Sequence, residues 1–322
     1  MCAAAARSQD IHFSQYYFSP LSLNPAQTGA FNGDYRGFAN YRSQWKEIND
    51  AYSTLSAGGD MNFYPAGHNL SAGLLFVRDQ SGGNLLVNKI LPSCAIHRKI
   101  AGFSLHGGFQ PGVVIKTIDF YSNSFPDQLN WETGSFDHTL PSSESNVNQR
   151  FTYLDLNAGF AVSRRFGKLE PSLGAAAFHI NKPKESFFDG ANRLPVRTAY
   201  NAMISYTMNP VVIHLHSIYG FTDKVSDWVS GINAEYVLSR DYFFTNSVFA
   251  GFMWRDGLRR NPDASILTAG LNYQNYTLGF SYDITFSQLR STVNSKGAFE
   301  IAFIYRSRSS RLTKTIVPCE RY

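Results

Sequence analysis

The chain has 322 residues, a formal charge of +5, 15% aromatic but only 16% charged residues, and a mean hydropathy of -0.23. No stretch reaches the roughly 18 consecutive apolar residues that a membrane-spanning helix needs, which excludes a helical membrane protein. The 26 Phe and 18 Tyr instead suit strands with one face toward lipid and the other toward water. Basic residues are scattered, which argues against nucleic acid as a partner. The exception is the last 17 residues, where Arg306, Arg308, Arg311, Lys314 and Arg321 form either a solvated tail or a surface for an acidic partner.

Residues 1–8 read as the tail of a processed export signal, cut near Gln9, although the start lacks the apolar core of about 7 to 15 residues such a signal requires. Cys2 could be a lipidation site, but the residues that define that motif are missing. The three cysteines, Cys2, Cys94 and Cys319, are odd in number and widely spaced, with no metal or redox motif. A Cys94–Cys319 disulfide is open in an oxidising compartment. Residues 9–32 stand apart. Pro20 and Pro25 lack backbone donors and rule out a central strand. Five aromatics between Phe13 and Phe31 need shelter from water. This segment is expected to fold into a lumen as a plug or to pack across a periplasmic mouth.

From residue 33 the pattern has period two. Leu278, Phe280, Tyr282, Ile284 and Phe286 share one face, and Thr277, Gly279, Ser281, Asp283, Thr285 and Ser287 the other. Likewise Leu154, Leu156, Ala158, Phe160 and Val162 oppose Tyr153, Asp155, Asn157, Gly159, Ala161 and Ser163, and Ile232, Ala234, Tyr236 and Leu238 oppose Asn233, Glu235 and Ser239. Aromatics on one face and small or polar residues on the other suit a barrel with a crowded or watery lumen. Two soluble β domains are the alternative, but their exposed aromatic stripes would then need explaining.

Fourteen strands are predicted near residues 33–46, 51–62, 68–79, 85–98, 100–116, 151–166, 168–181, 197–209, 211–222, 226–240, 241–255, 264–274, 276–290 and 296–306. Phe166-Gly167-Lys168, Asn209-Pro210, Arg240-Asp241 and Gln274-Asn275 read as tight turns. Long joints fall near 117–150, 182–196 and 256–263, all on the opposite end. That parity is expected of an antiparallel outer-membrane β-barrel spanning 33–306, and an even strand count puts both termini, including a basic tail at 307–322, in the periplasm. Trp131 with Asp127, Glu132 and Asp137 makes the longest loop either a contact surface or a solvated one.

The opening Phe13-Ser14-Gln15-Tyr16, Pro20-Leu21, Asn24-Pro25-Ala26 and Gly29, followed by Tyr41-Arg42-Ser43-Gln44-Trp45, resembles the signature of the PorP/SprF family of Bacteroidota. The resemblance continues through Asp79, Gly82, Leu278-Gly279-Phe280-Ser281-Tyr282-Asp283, Glu300-Ile301 and Cys319, nearly the whole chain. Phe299, where members often carry His, and Pro318-Cys319-Glu320, where Pro more often follows Cys, depart from the pattern and blur the subfamily. The resemblance implies an outer-membrane barrel of the type IX secretion system, linked to secretion, surface attachment of large cargo and gliding motility. The implied partners are a secreted cargo protein, other secretion-system or periplasmic subunits, and the lipid bilayer.

By alternation Arg36, Arg42 and Gln44 face inward, while Tyr41 and Trp45 face lipid, with Trp45 at a strand end where an interfacial anchor belongs. A charge turned to lipid costs about 2–4 kcal/mol at the bilayer midplane. If the first and last strands close the barrel, Glu300 lies beside these arginines and is expected to pair with Arg36 or Arg42; plain lumen lining is the other reading. No catalytic, cofactor or metal site is expected. His214-x-His216 is a weak ligand signal on an inward face. His97 and His106 lack a Ser and a carboxylate at triad-like spacing. Gly82-Gly83 and Gly107-Gly108 do not lie in a strand-to-helix phosphate loop. Two functional readings stand: a plugged barrel that docks partners, and a passive channel for small solutes. Fourteen strands lie between the eight that side chains fill and the sixteen to eighteen that leave an aqueous channel, so strand number does not choose between them.

Overall fold

The computed structural model describes residues 13–44, 52–82, 84–118, 126–137, 139–140, 150–187, 192–223, 225–240, 245–256, 262–286 and 296–310. The strands are β1 (Tyr35–Gln44), β2 (Tyr52–Phe63), β3 (Asn69–Ser81), β4 (Leu85–Ile100), β5 (Phe103–Ile118), β6 (Leu129–Asn130), β7 (Ser135–Phe136), β8 (Arg150–Arg164), β9 (Leu169–Phe178), β10 (Arg197–Met208), β11 (Val211–Thr222), β12 (Val225–Arg240), β13 (Thr245–Asp256), β14 (Pro262–Tyr273), β15 (Tyr276–Thr285) and β16 (Lys296–Arg306). β6 and β7 form a separate two-stranded hairpin. The other fourteen close into one antiparallel barrel in which β16 returns to β1, with Arg42 opposite Glu300. No helix among the described residues is long and apolar enough to cross a membrane.

The wall follows the period-two pattern because successive side chains point to opposite faces. On β15, Phe280 and Tyr282 are exposed on the outer surface, while Ser281 and Asp283 are buried inside. Closure leaves no sheet edge to satisfy, which a bilayer demands of any strand-built span. The joints β2–β3, β4–β5, β8–β9, β10–β11, β12–β13 and β14–β15 lie at one end, and those following β1, β3, β5, β9, β11, β13 and β15 at the other. Gly102 and Gly167 adopt positive φ in two of the tight turns, a conformation that glycine takes without strain.

Three expectations change. At the turn expected at Arg240-Asp241, Arg240 pairs with Thr245, and Asp241 with the rest of residues 241–244 lies outside the described residues, so the next strand begins at Thr245 rather than 241. β15 stops at Thr285 rather than near 290, and residues 287–295 lie outside the described residues. The lumen face is less polar than expected. Phe38, Leu75, Val77, Leu91 and Ile304 point inward and bury Phe18 and Leu21 of the amino-terminal segment. Trp45, Cys2, Cys319, residues 1–12 and the tail from Arg311 lie outside the described residues. Cys94 is exposed and has no disulfide partner among the described residues, and Cys319, its expected partner, lies outside them.

A seat inside the barrel

Residues 13–31 lie inside the barrel, in contact with inward-facing residues of its wall. Short helical turns at Tyr16–Phe18, Pro20–Leu23 and Pro25–Gln27 carry the segment. Each proline starts a turn, where a missing N–H costs nothing. The Asn24 side chain accepts from the Ala26 N–H and caps the last turn. Its amide also donates to the carbonyls of Phe160 on β8 and Ala175 on β9.

The segment begins at a buried charge cluster near the long-loop end, two residues from the end of β1. The Ser14 and Gln15 N–H groups donate to the two oxygens of Glu300, at 2.6 and 2.9 Å. The Ser14 hydroxyl donates to Asp283 and accepts from Arg42 and Arg255. Arg42 meets Glu300 at 2.5 Å and Asp283 at 3.0 Å, and Arg255 meets Asp283 at 2.8 Å. Four formal charges that cancel surround one dipeptide. All are nearly dry, with the Glu300 side chain 0% exposed, and such charges are tolerated only when paired and hydrogen-bonded.

The segment then crosses the lumen. Tyr16 packs on Val229, Met253 and Ile266. The Tyr17 hydroxyl accepts from Asn233, and its ring stacks on His216. Gln110 donates to the Leu21 carbonyl, and the Thr28 hydroxyl donates to Ser93. At the short-turn end the Gly29 N–H donates to Asp60, which Arg36 holds through two hydrogen bonds.

Glycines on the inner face make this path possible. A Cβ at Gly108 would sit 2.3 Å from the Pro25 carbonyl, and one at Gly159 would sit 1.9 Å from the Asn24 side chain. A Cβ at Gly279 would meet Phe18 and Gln15. The backbone thus approaches the wall where side chains are missing.

Of the two pairings expected for Glu300, the structure brings it to Arg42, and Arg36 goes to Asp60. Gln44 accepts weakly from Arg42 at 3.3 Å. Phe13, Ser14, Gln15, Tyr16, Asn24, Pro25, Gly29, Arg42, Gly279, Asp283 and Glu300 all belong to the seat or the segment it holds. Asp79 does not: it accepts from Thr54 and Ser81 at the rim. Tyr282 lies on the outer face. Asp60 and Arg255 were not anticipated. Their signal was available, since both are charges at inward positions of strands, as are Arg36 and Arg42. Among the described residues no cluster of three or more His, Cys, Asp or Glu could hold a metal. His97 and His106 contact each other, and His214 bridges Ser205 and Glu235.

Described residues of the β9–β10 joint also contact inward-facing residues near the long-loop mouth. Its Glu185 pairs with the inward Lys116, Phe187 meets Phe151 edge-on at 4.6 Å, and Leu194 packs beside Val87, Val114 and Tyr153.

The family model described as type IX secretion system membrane protein PorP/SprF matches residues 5–305. The chain belongs to the PorP/SprF family. It is therefore a type IX secretion membrane protein with an outer-membrane barrel fold. Comparison with curated proteins yields no match. Among solved structures this PorP/SprF barrel is similar to the CymD monoaromatic hydrocarbon channel, with 9% identity, TM-score 0.52, and coverage of 91% of this chain and 94% of that one. It is similar to the Ralstonia pickettii toluene transporter TbuX at 11% identity and TM-score 0.52, with 90% and 94% coverage. At such identities the likeness concerns the fold alone.

Proposed function

We propose that this PorP/SprF barrel has no catalytic role and serves type IX secretion as a closed docking component, assisting the secretion or surface attachment of large cargo. The observation that carries this reading is the seating of residues 13–31 across the lumen, anchored at both ends by buried charges. A passive solute pore would gain nothing from filling its bore with Phe18 and Leu21 packed as a core. The short-turn end, where β1 begins and β16 ends, is read as periplasmic, because outer-membrane barrels keep short turns there and long loops outside. In this reading the long-loop end meets surface cargo and the opposite end meets the secretion apparatus.

The test is affinity purification of the intact protein from native outer membranes in mild detergent, with mass spectrometry of what co-purifies. Stoichiometric recovery of a secreted surface protein or of other secretion-system subunits is the expected result. A barrel recovered without partners would overturn the docking role and return attention to a solute channel.

A further inference from the structure

The joint between β5 and β8 carries the small hairpin β6–β7, and its tip presents Trp131 with 85% of its surface exposed. Phe136, on the second strand, is 49% exposed. Indole offers a large apolar surface with one polar N–H and is enriched among the side chains whose burial contributes most at interfaces. The hairpin is ordered by its own bonds. The Asp137 N–H donates to the Gln128 carbonyl, and the Gln128 side chain donates to the Leu140 carbonyl. Trp131 thus sits on a turn whose backbone is ordered by the hairpin's own hydrogen bonds, which lowers the entropy lost on binding.

Charge identifies the kind of partner. On the hairpin, residues 126–137 contain Asp127, Glu132 and Asp137 and no Lys or Arg, in a chain whose net charge is +5. Glu132 is exposed directly beside Trp131. An acidic hairpin is repelled by phosphate-bearing lipid headgroups and attracted to a basic protein surface. We infer that the β6–β7 hairpin is a docking element whose Trp131 enters an apolar pocket, rimmed by Lys and Arg, on a polypeptide partner. The inference rests on the docking role proposed above and names its contact.

The experiment places a photo-crosslinking phenylalanine analogue at position 131 of the full chain in native outer membranes, with the same analogue at Leu154 on the outer wall as a control. Cross-linked peptides are sequenced. In parallel, retention of the partner is compared for native protein, Trp131→Ala and Glu132→Gln, from about 0.1 M to about 1 M NaCl, over which the Debye length falls from about 10 to about 3 Å. Expected are a Lys- and Arg-rich polypeptide adduct from position 131 only, at least about tenfold weaker retention for Trp131→Ala, and a shallower salt dependence for Glu132→Gln. An adduct to lipid or glycolipid, or equal retention by Trp131→Ala, overturns the inference. If partners co-purify under those conditions, the docking role stands and this contact alone fails. If no partner is retained by the native protein, both fall.

Discussion

Arg42→Met is expected to destabilise the barrel by about 3–5 kcal/mol, because it leaves two carboxylates in a dry site with one arginine between them. Glu300 lies at hydrogen-bond distance from Arg42 and from the Ser14 and Gln15 amides. Asp283 would retain Arg255. The loss should therefore centre on Glu300, and Glu300→Gln in the Arg42→Met background should recover part of it by removing the stranded charge. Thermal unfolding, followed by heat-modifiable migration in detergent gels, reads both effects. A fall in stability that Glu300→Gln deepens in that background would show that the two residues are not coupled.

Gly108→Val is the second large effect. Its new Cβ would meet the backbone of Pro25 at 2.3 Å, and backbone cannot rotate away as a side-chain end can. The neighbouring Gly107 faces outward, and a Cβ there meets nothing nearer than Ile96 at 3.8 Å. Gly107→Val should therefore be silent while Gly108→Val unseats residues 24–26, although both lie on β5 and carry the same strand preference. Overpacking of this kind costs about 1–3 kcal/mol, and here the segment rather than the wall can yield. Limited proteolysis of folded protein checks it: cleavage within residues 13–31 should accelerate in Gly108→Val alone. Equal protection of the two variants would mean that the segment does not depend on this gap.

The barrel was legible because its two solvents write a two-residue period into every stave. β11 and β16 begin and end where the alternation places them, and most other ends fall within a few residues. The start of β13 at Thr245, rather than 241, has a physical reason. Alternation fixes which residues share a face, but it says little about where a strand starts or stops. The amino-terminal segment was legible as an exception through Pro20 and Pro25, but its path was not, because contacts such as Asn24 to Ala175 join residues 151 positions apart. The Arg42–Glu300 juxtaposition could be reasoned from closure of the first and last strands. Asp60 and Arg255 could have been found by asking of every strand which charges face inward, a question that the motif residues alone do not raise. Gly108 and Gly159 carry the same lesson for size: a glycine at an inward position marks where something else occupies the space.

The most direct measurement is the ionic conductance of the unmodified protein reconstituted in planar bilayers. With residues 13–31 seated across the lumen the barrel should be electrically silent at moderate voltage. Steady, stepwise conductance from the intact protein, with the segment shown by protease protection to remain in place, would contradict a closed docking barrel.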